Sequence, residues 1–117
     1  MLAQQARVVY VEFIAHAILS RAVWSLRCNG DLVVLTGVEI GFFPLWPDPE
    51  SARFFSGIHW PRLVPAEVPL PLLLRCHLPL LAEAGVPVGI GVAPNPEAIV
   101  LRAHRLRRDL IAARRVA

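Results

Sequence analysis

Two cysteines and four histidines are the chain's soft ligands and nucleophile partners, and nine carboxylates complete its reactive groups. A nucleophilic thiol or hydroxyl needs a positioned base. Cys76 with His59, or Ser56 with His59, are the pairs that could be brought together for hydrolysis. Neither pair lies in a recognisable motif, and Gly-x-Ser-x-Gly is absent. A structural zinc site is usually announced by paired ligands such as Cys-x-x-Cys. Here Cys76 and His77 are neighbours, which on a helix aims them about 100° apart, and Cys28 and His59 stand alone. Glu12, Glu50, Glu67 and Glu83 belong to different predicted elements, so no carboxylate pair for acid–base work is expected. Gly85, Gly89 and Gly91 lie in and before a strand rather than between strand and helix, which is not the arrangement that cradles phosphate. These residues therefore predict no catalytic set, no metal and no cofactor, with a hydrolase built on Cys76 and His59 as the enzymatic alternative.

Residues suited to binding are easier to find. All 12 basic residues are arginine, and their distribution is uneven. Residues 1–94 hold six arginines against seven carboxylates, whereas residues 95–117 hold six against Glu97 and Asp109. Arg102, Arg105, Arg107 and Arg108 thus make the C-terminal segment a candidate for an anionic partner, either an acidic protein surface or nucleic-acid phosphate. The same residues also suit a solvated helix face. They ring the helix instead of lining one stripe, and no known nucleic-acid motif is present. Trp24, Trp46 and Trp60 are the largest side chains, and core packing is their default use. Trp46 and Trp60 stand beside prolines in chain expected to be irregular, which makes them the candidates for an aromatic ligand pocket.

These residues need elements to hold them. Residues 3–20 read as a helix with Gln5, Glu12, His16 and Ser20 on one narrow face. The rest of its circumference is apolar, so it should pack on two sides. Residues 22–27 and 32–36 are β-prone runs on either side of Asn29-Gly30, the strongest short hairpin signal. Alternation puts Val23, Ser25 and Arg27 on one face, and Trp24, Leu26 and Cys28 on the other. A third strand is expected over Val38 to Phe43, ended by Pro44. Asp48 and Pro49 should start a short helix that stops at Gly57, and Pro-rich irregular chain should follow. Leu70 to Ala84 is helical by composition, with Pro79 breaking or restarting it. Val86 to Val92 reads as a strand with Pro87 at its start or edge. Asn95, Pro96 and Glu97 look like the start of the last helix, with a seam of Ile99, Ala103, Leu106, Leu110 and Ala113.

The predicted architecture is a single α+β domain over residues 1–117. A small, hairpin-led antiparallel sheet of three to four strands packs against N-terminal, central and C-terminal helices. Hydrophobic residues make up 56% of the chain, above the usual share of about 45–50%. That surplus points to a generous core or to apolar surface kept for a partner. The longest stretch without a formal charge, Ala84 to Pro96, is interrupted by proline and glycine. It falls short of the roughly 20 apolar residues a spanning helix needs. Glu12 within the N-terminal apolar run argues for an amphipathic helix rather than a signal peptide, so a cytoplasmic protein is expected. In that setting Cys28 and Cys76 should be free and buried.

One ordered set of residues resembles a known family. Val23-Trp24-Ser25-Leu26 is followed by Gly30, Pro44-Leu45-Trp46, Ala52 and Trp60. Leu78-Pro79-Leu80-Leu81, Gly85 and Val88-Gly89-Ile90 come next. In that order, over roughly residues 8–110, the chain resembles the bacterial family catalogued as domain of unknown function 2750. The resemblance implies a compact α+β domain and no activity. Residues 92–96 and the Arg-rich end depart from the family's pattern. The leading expectation is a non-catalytic protein-interaction module, an accessory or immunity-type bacterial protein. It would present an apolar patch beside the Arg-rich helix to a protein partner or a second copy. The alternative is a small-ligand or nucleic-acid binder using Trp46, Trp60 and the arginines.

Overall fold

Asn29 and Gly30 adopt φ angles of 53° and 89°, the pair of left-handed conformations that a two-residue hairpin turn requires. In the computed structural model, which describes residues 2–36, 41–91 and 99–116, this turn joins β1 (Ala22–Cys28) to β2 (Asp31–Leu32). The other edge of β1 pairs antiparallel with β5 (Val64–Pro69), from Ala22 opposite Pro69 to Arg27 opposite Val64. The Pro-rich chain expected to be irregular as far as Pro65 is therefore a strand from Val64 onward. Its position explains the tolerance: β5 closes the order β2-β1-β5 as an edge. Pro65 and Pro69 are four residues apart, so their missing donors fall on one side of the strand, and an edge leaves one side without a partner.

A second group has the order β3-β4-β6-β7, built from β3 (Leu35–Thr36), β4 (Gly41–Leu45), β6 (Val88–Ile90) and β7 (Ile99–Leu101). The pairings are antiparallel except β4 with β6, which is parallel. That pair departs from the all-antiparallel expectation because the chain between them is a long crossover, which lets it return in the same direction. β4 also runs through Pro44 instead of ending there. The two groups are stitched where β1 meets the end of β4. Trp24 and Trp46 exchange both backbone hydrogen bonds at 2.9 and 2.8 Å. Beside them the buried Ser25 Oγ donates to the Pro44 carbonyl at 2.7 Å.

Alternation along these strands divides the interior in two. Val23, Phe43, Leu45, Val68, Val88 and Ile90 enter one core together with residues of α1 (Leu2–Ser20), the helical run 70–84 and α5 (Ala103–Val116). Leu26, Phe42 and Trp46 enter the other with Ala52 of α2 (Pro49–His59), and Trp24, Phe55 and Trp60 pack on its margin. The sheet thus carries three helical elements on one face and α2 on the other. α2 begins as expected, with the Asp48 carboxylate accepting from the Ser51 amide at 2.7 Å. It runs past Gly57 and is capped at Trp60, whose φ of −140° has left the helical region. Pro61 follows, and a residue before proline is pushed out of that region.

The run 70–84 shows how a proline is accommodated. α3 (Leu70–Leu72) passes into a π-helical turn, Leu73–His77, and then into α4 (Leu78–Ala84). The Leu78 amide bonds to the Leu73 carbonyl. In that wider register the next donor, owed to the Leu74 carbonyl, would come from Pro79, which has none. Arg107 of α5 supplies it instead, donating from Nε to the Leu74 carbonyl at 2.8 Å. Pro79 therefore restarts the helix, and a side chain from another helix repairs the gap.

The last helix begins later than expected, at Ala103. Ile99, predicted in its seam, lies in β7, where Ile99-Val100-Leu101 pairs with β6. Ala103, Leu106 and Leu110 form the buried seam as predicted, and Ile99 reaches the same core from the strand. The proposed cap at Asn95, Pro96 and Glu97, and residues 38–40 of the expected third strand, lie outside the described residues.

Candidate interaction surface

α1 packs by Phe13 and Ala17, both fully buried in the first core, with Tyr10, Ile14 and Ile18 half-buried beside them. The expectation of two packed sides is met on one side only. The other side presents Val8, Val11 (59% exposed), Ala15 and Leu19 (84% exposed) to solvent, at spacings of three, four and four residues. That spacing makes one stripe along a helix. Where α1 lies against α5, Tyr10, Ile14, Ile18, Ala113 and Val116 line a trough of about 580 Å³. A second hollow of about 510 Å³ shares Ile18 and Leu19 with it and adds Arg21, Leu70, Pro71 and Arg114. The two form one continuous apolar path with arginine at its far end.

At the near end sits a charged group. Tyr10 donates its hydroxyl to Asp109 Oδ2 at 2.7 Å. Arg105 and Arg108 approach the same carboxylate at 3.8 and 3.7 Å. Burial is the main cause that pushes the Tyr10 phenol well above its usual range; the hydrogen bond to Asp109 and that group's charge add to it, while Arg105 and Arg108 oppose. The phenol is thus a neutral donor that ties α1 to α5. Both arginines are mostly exposed, and among the described residues this single carboxylate is their ionic partner.

The six residues predicted for binding do not form one surface. Trp46 is 0% exposed in the second core, and its Nε1 finds no acceptor among the described residues. It stacks on Phe55 with ring centroids 6.2 Å apart. Trp46 is therefore corrected from a pocket residue to a core residue, placed by the strand end that was expected to be irregular. Trp60 packs at the margin of the same core. Both lie across the sheet from α5. On α5 itself Arg107 is engaged with Leu74, and Arg105 and Arg108 flank Asp109; Arg102, just before the helix, opens on a cleft of about 660 Å³ shared with Gly85, Pro87 and His104.

Of the residues named for the catalytic alternatives, Ser56 and His59 lie on α2 and Cys76 lies in the π-helical turn. Cys28 and Cys76 are free but exposed, not buried as expected, because one ends β1 at the hairpin and the other lies on the outer side of the π-helical turn. The Ser56 hydroxyl donates back to the Arg53 carbonyl at 3.3 Å. His77 stacks on Phe43 at 6.3 Å. Burial first, and then the charge of Arg27, lowers its pKa below the usual histidine value. Among the described residues no three potential metal ligands come together, and no helix is long and apolar enough to cross a membrane. What the sequence reading missed is the stripe on α1. Its signal was the nearly all-apolar circumference of that helix, which required a second neighbour.

A mixed sheet with three helical elements on one face and one on the other defines an α+β domain. The chain belongs to the family described as protein of unknown function (DUF2750), whose model matches residues 10–110. No curated protein matches it.

Proposed function

We propose that this protein is a non-catalytic protein-interaction module of the bacterial cytoplasm that works through the α1–α5 face. The observation that carries the reading is the stripe of Val8, Val11, Ala15 and Leu19 running beside an apolar trough that is continuous from Tyr10 to Arg114. Scattered exposed apolar residues are ordinary on any protein, but a contiguous concave patch rimmed by charge is the form that interaction sites take. A helix laid along the trough would dock by side chains at i, i+3, i+4 and i+7. The arginines of α5 would set orientation and association rate more than affinity.

The test is affinity purification from the cells that make the protein, with three baits. The wild type is expected to carry a stoichiometric protein partner. Val11→Asp with Leu19→Asp should lose it, and Phe54→Asp with Ile58→Asp, on the exposed side of α2, should keep it. A partner retained by the first double variant contradicts the assignment of this face.

A further inference from the structure

We infer that the segment received by the α1–α5 trough is an amphipathic helix with carboxylates at both ends of its apolar side. This rests on the interaction reading above and adds the chemistry of the partner. Charge placement points to that occupant. The trough is apolar along its length, and each end is basic. At the Tyr10 end Arg105 and Arg108 share the carboxylate of Asp109, so among the described residues the group carries an excess positive charge. At the Leu19 end Arg21 and Arg114 line the adjoining hollow. From Tyr10 to Leu19 the helical rise is about 13.5 Å, so the two basic ends are roughly two and a half turns apart along an occupant. An incoming helix with leucine-sized side chains over those turns, and glutamate or aspartate just outside them, would satisfy both features. Arginine would grip such carboxylates with two donors at once.

A second copy of this chain fits less well. α5 carries five arginines against one aspartate. Self-association through this face would bring two such helices together, and like charges across an interface suppress pairing. α1 offers the partner copy only Glu12, which follows Val11 on the helix, as an exposed carboxylate among the described side chains. An unlike, acidic occupant removes the repulsion.

The experiment uses the full chain and two synthetic helical peptides of about five turns. Both carry leucines at i, i+4, i+7 and i+11. One has glutamates flanking the leucines at both ends, and its twin has lysines at the same places. Binding is read by fluorescence anisotropy of the labelled peptide at low and moderate salt. The glutamate peptide is expected to bind roughly tenfold or more tightly than its twin, a margin that falls with salt. Arg105→Glu with Arg108→Glu should abolish or invert the preference, and Val11→Asp should abolish binding of either peptide. All three positions are exposed, so an unchanged denaturation midpoint establishes that the variants fold. Equal binding of the two peptides, or a preference that ignores the arginine reversals, overturns the proposal. A dimer in sedimentation that Val11→Asp dissociates also overturns it, as does binding to phosphatidylglycerol vesicles with no binding of either peptide. If neither peptide binds while a cellular partner is still lost with the Val11→Asp and Leu19→Asp bait, the acidic-helix proposal fails and the interaction reading stands. If that bait also keeps its partner, both fail.

Discussion

The two faces of the sheet are closed by opposite means. One is covered by α2 alone, and aromatic bulk fills the space: Trp46, Phe42 and Leu26 are buried, with Trp24, Phe55 and Trp60 at the margin. The other is covered by α1, the run 70–84 and α5, and is filled by leucine, valine, isoleucine and alanine with Phe13 and Phe43. A face with one helix needs large side chains because little backbone is at hand to exclude water. A face with three helices has circumference to spare, and the chain's surplus of apolar residues appears there as the second side of α1. Of the tryptophans, which look most like a ligand site, Trp46 is wholly buried in the aromatic core and Trp24 and Trp60 are half-buried at its margin. The residues that look most like core filling, Val11 and Leu19, are the exposed ones.

Substitutions separate the two faces most sharply at Trp46. Trp46→Ala should cost about 3–5 kcal/mol, the usual loss for a buried tryptophan, read as a shift in the urea midpoint. Trp46→Phe should cost less than that volume change alone suggests, because it also removes a buried donor that has no acceptor among the described residues. A small effect of Trp46→Ala would mean that the aromatic face is not closed as described.

The join between α5 and the π-helical turn is expected next in size. Arg107→Met leaves the Leu74 carbonyl without the donor it has at 2.8 Å and should cost about 1–3 kcal/mol. The cost should shrink in a Pro79→Ala background, where a backbone amide is restored. A double-mutant cycle measures that coupling, and strict additivity would refute the repair mechanism.

A smaller effect is expected in alkali. Tyr10 has its phenol pKa raised in the fold, first by burial and then by Asp109, above the ordinary value of 10.0. Above that value the unfolded chain gives up the proton while the folded chain keeps it. Stability is therefore fully present below about pH 10 and declines as pH rises further. The chain has no lysine and a single tyrosine, so the decline should be flattened by Tyr10→Phe. Denaturant midpoints between pH 9 and 11 test this, and an unaltered slope in Tyr10→Phe would exclude the Tyr10–Asp109 bond as its cause.

The parts legible in the sequence were those governed by local rules. The Asn29-Gly30 hairpin, the Asp48 cap, the Pro79 restart and the Ala103-Leu106-Leu110 seam all depend on neighbours within a turn or two. β5 was missed because Pro65 and Pro69 argue against a strand unless it is known to be an edge, and edge position is a property of the assembled sheet. β7 was missed because Asn95-Pro96-Glu97 is a strong local signal for a helix start, whereas Ile99-Val100-Leu101 becomes a strand only beside β6. The candidate site was half legible. The arginines were visible as a cluster, but that Arg107 is engaged by Leu74 depends on a π-helical turn thirty-odd residues away. The exposed stripe of α1 was present as an over-apolar helix, and only the assembled core shows which side is left over.

On the function proposed above, the second side of α1 serves binding and not folding. The most direct measurement pairs stability and partner retention in one variant, Val8→Gln with Val11→Gln and Leu19→Gln. The isolated protein is expected to keep its stability to within about 0.5 kcal/mol per site, as exposed positions do, while the cellular partner is lost. A variant that unfolds, or one that folds and keeps its partner, would contradict it.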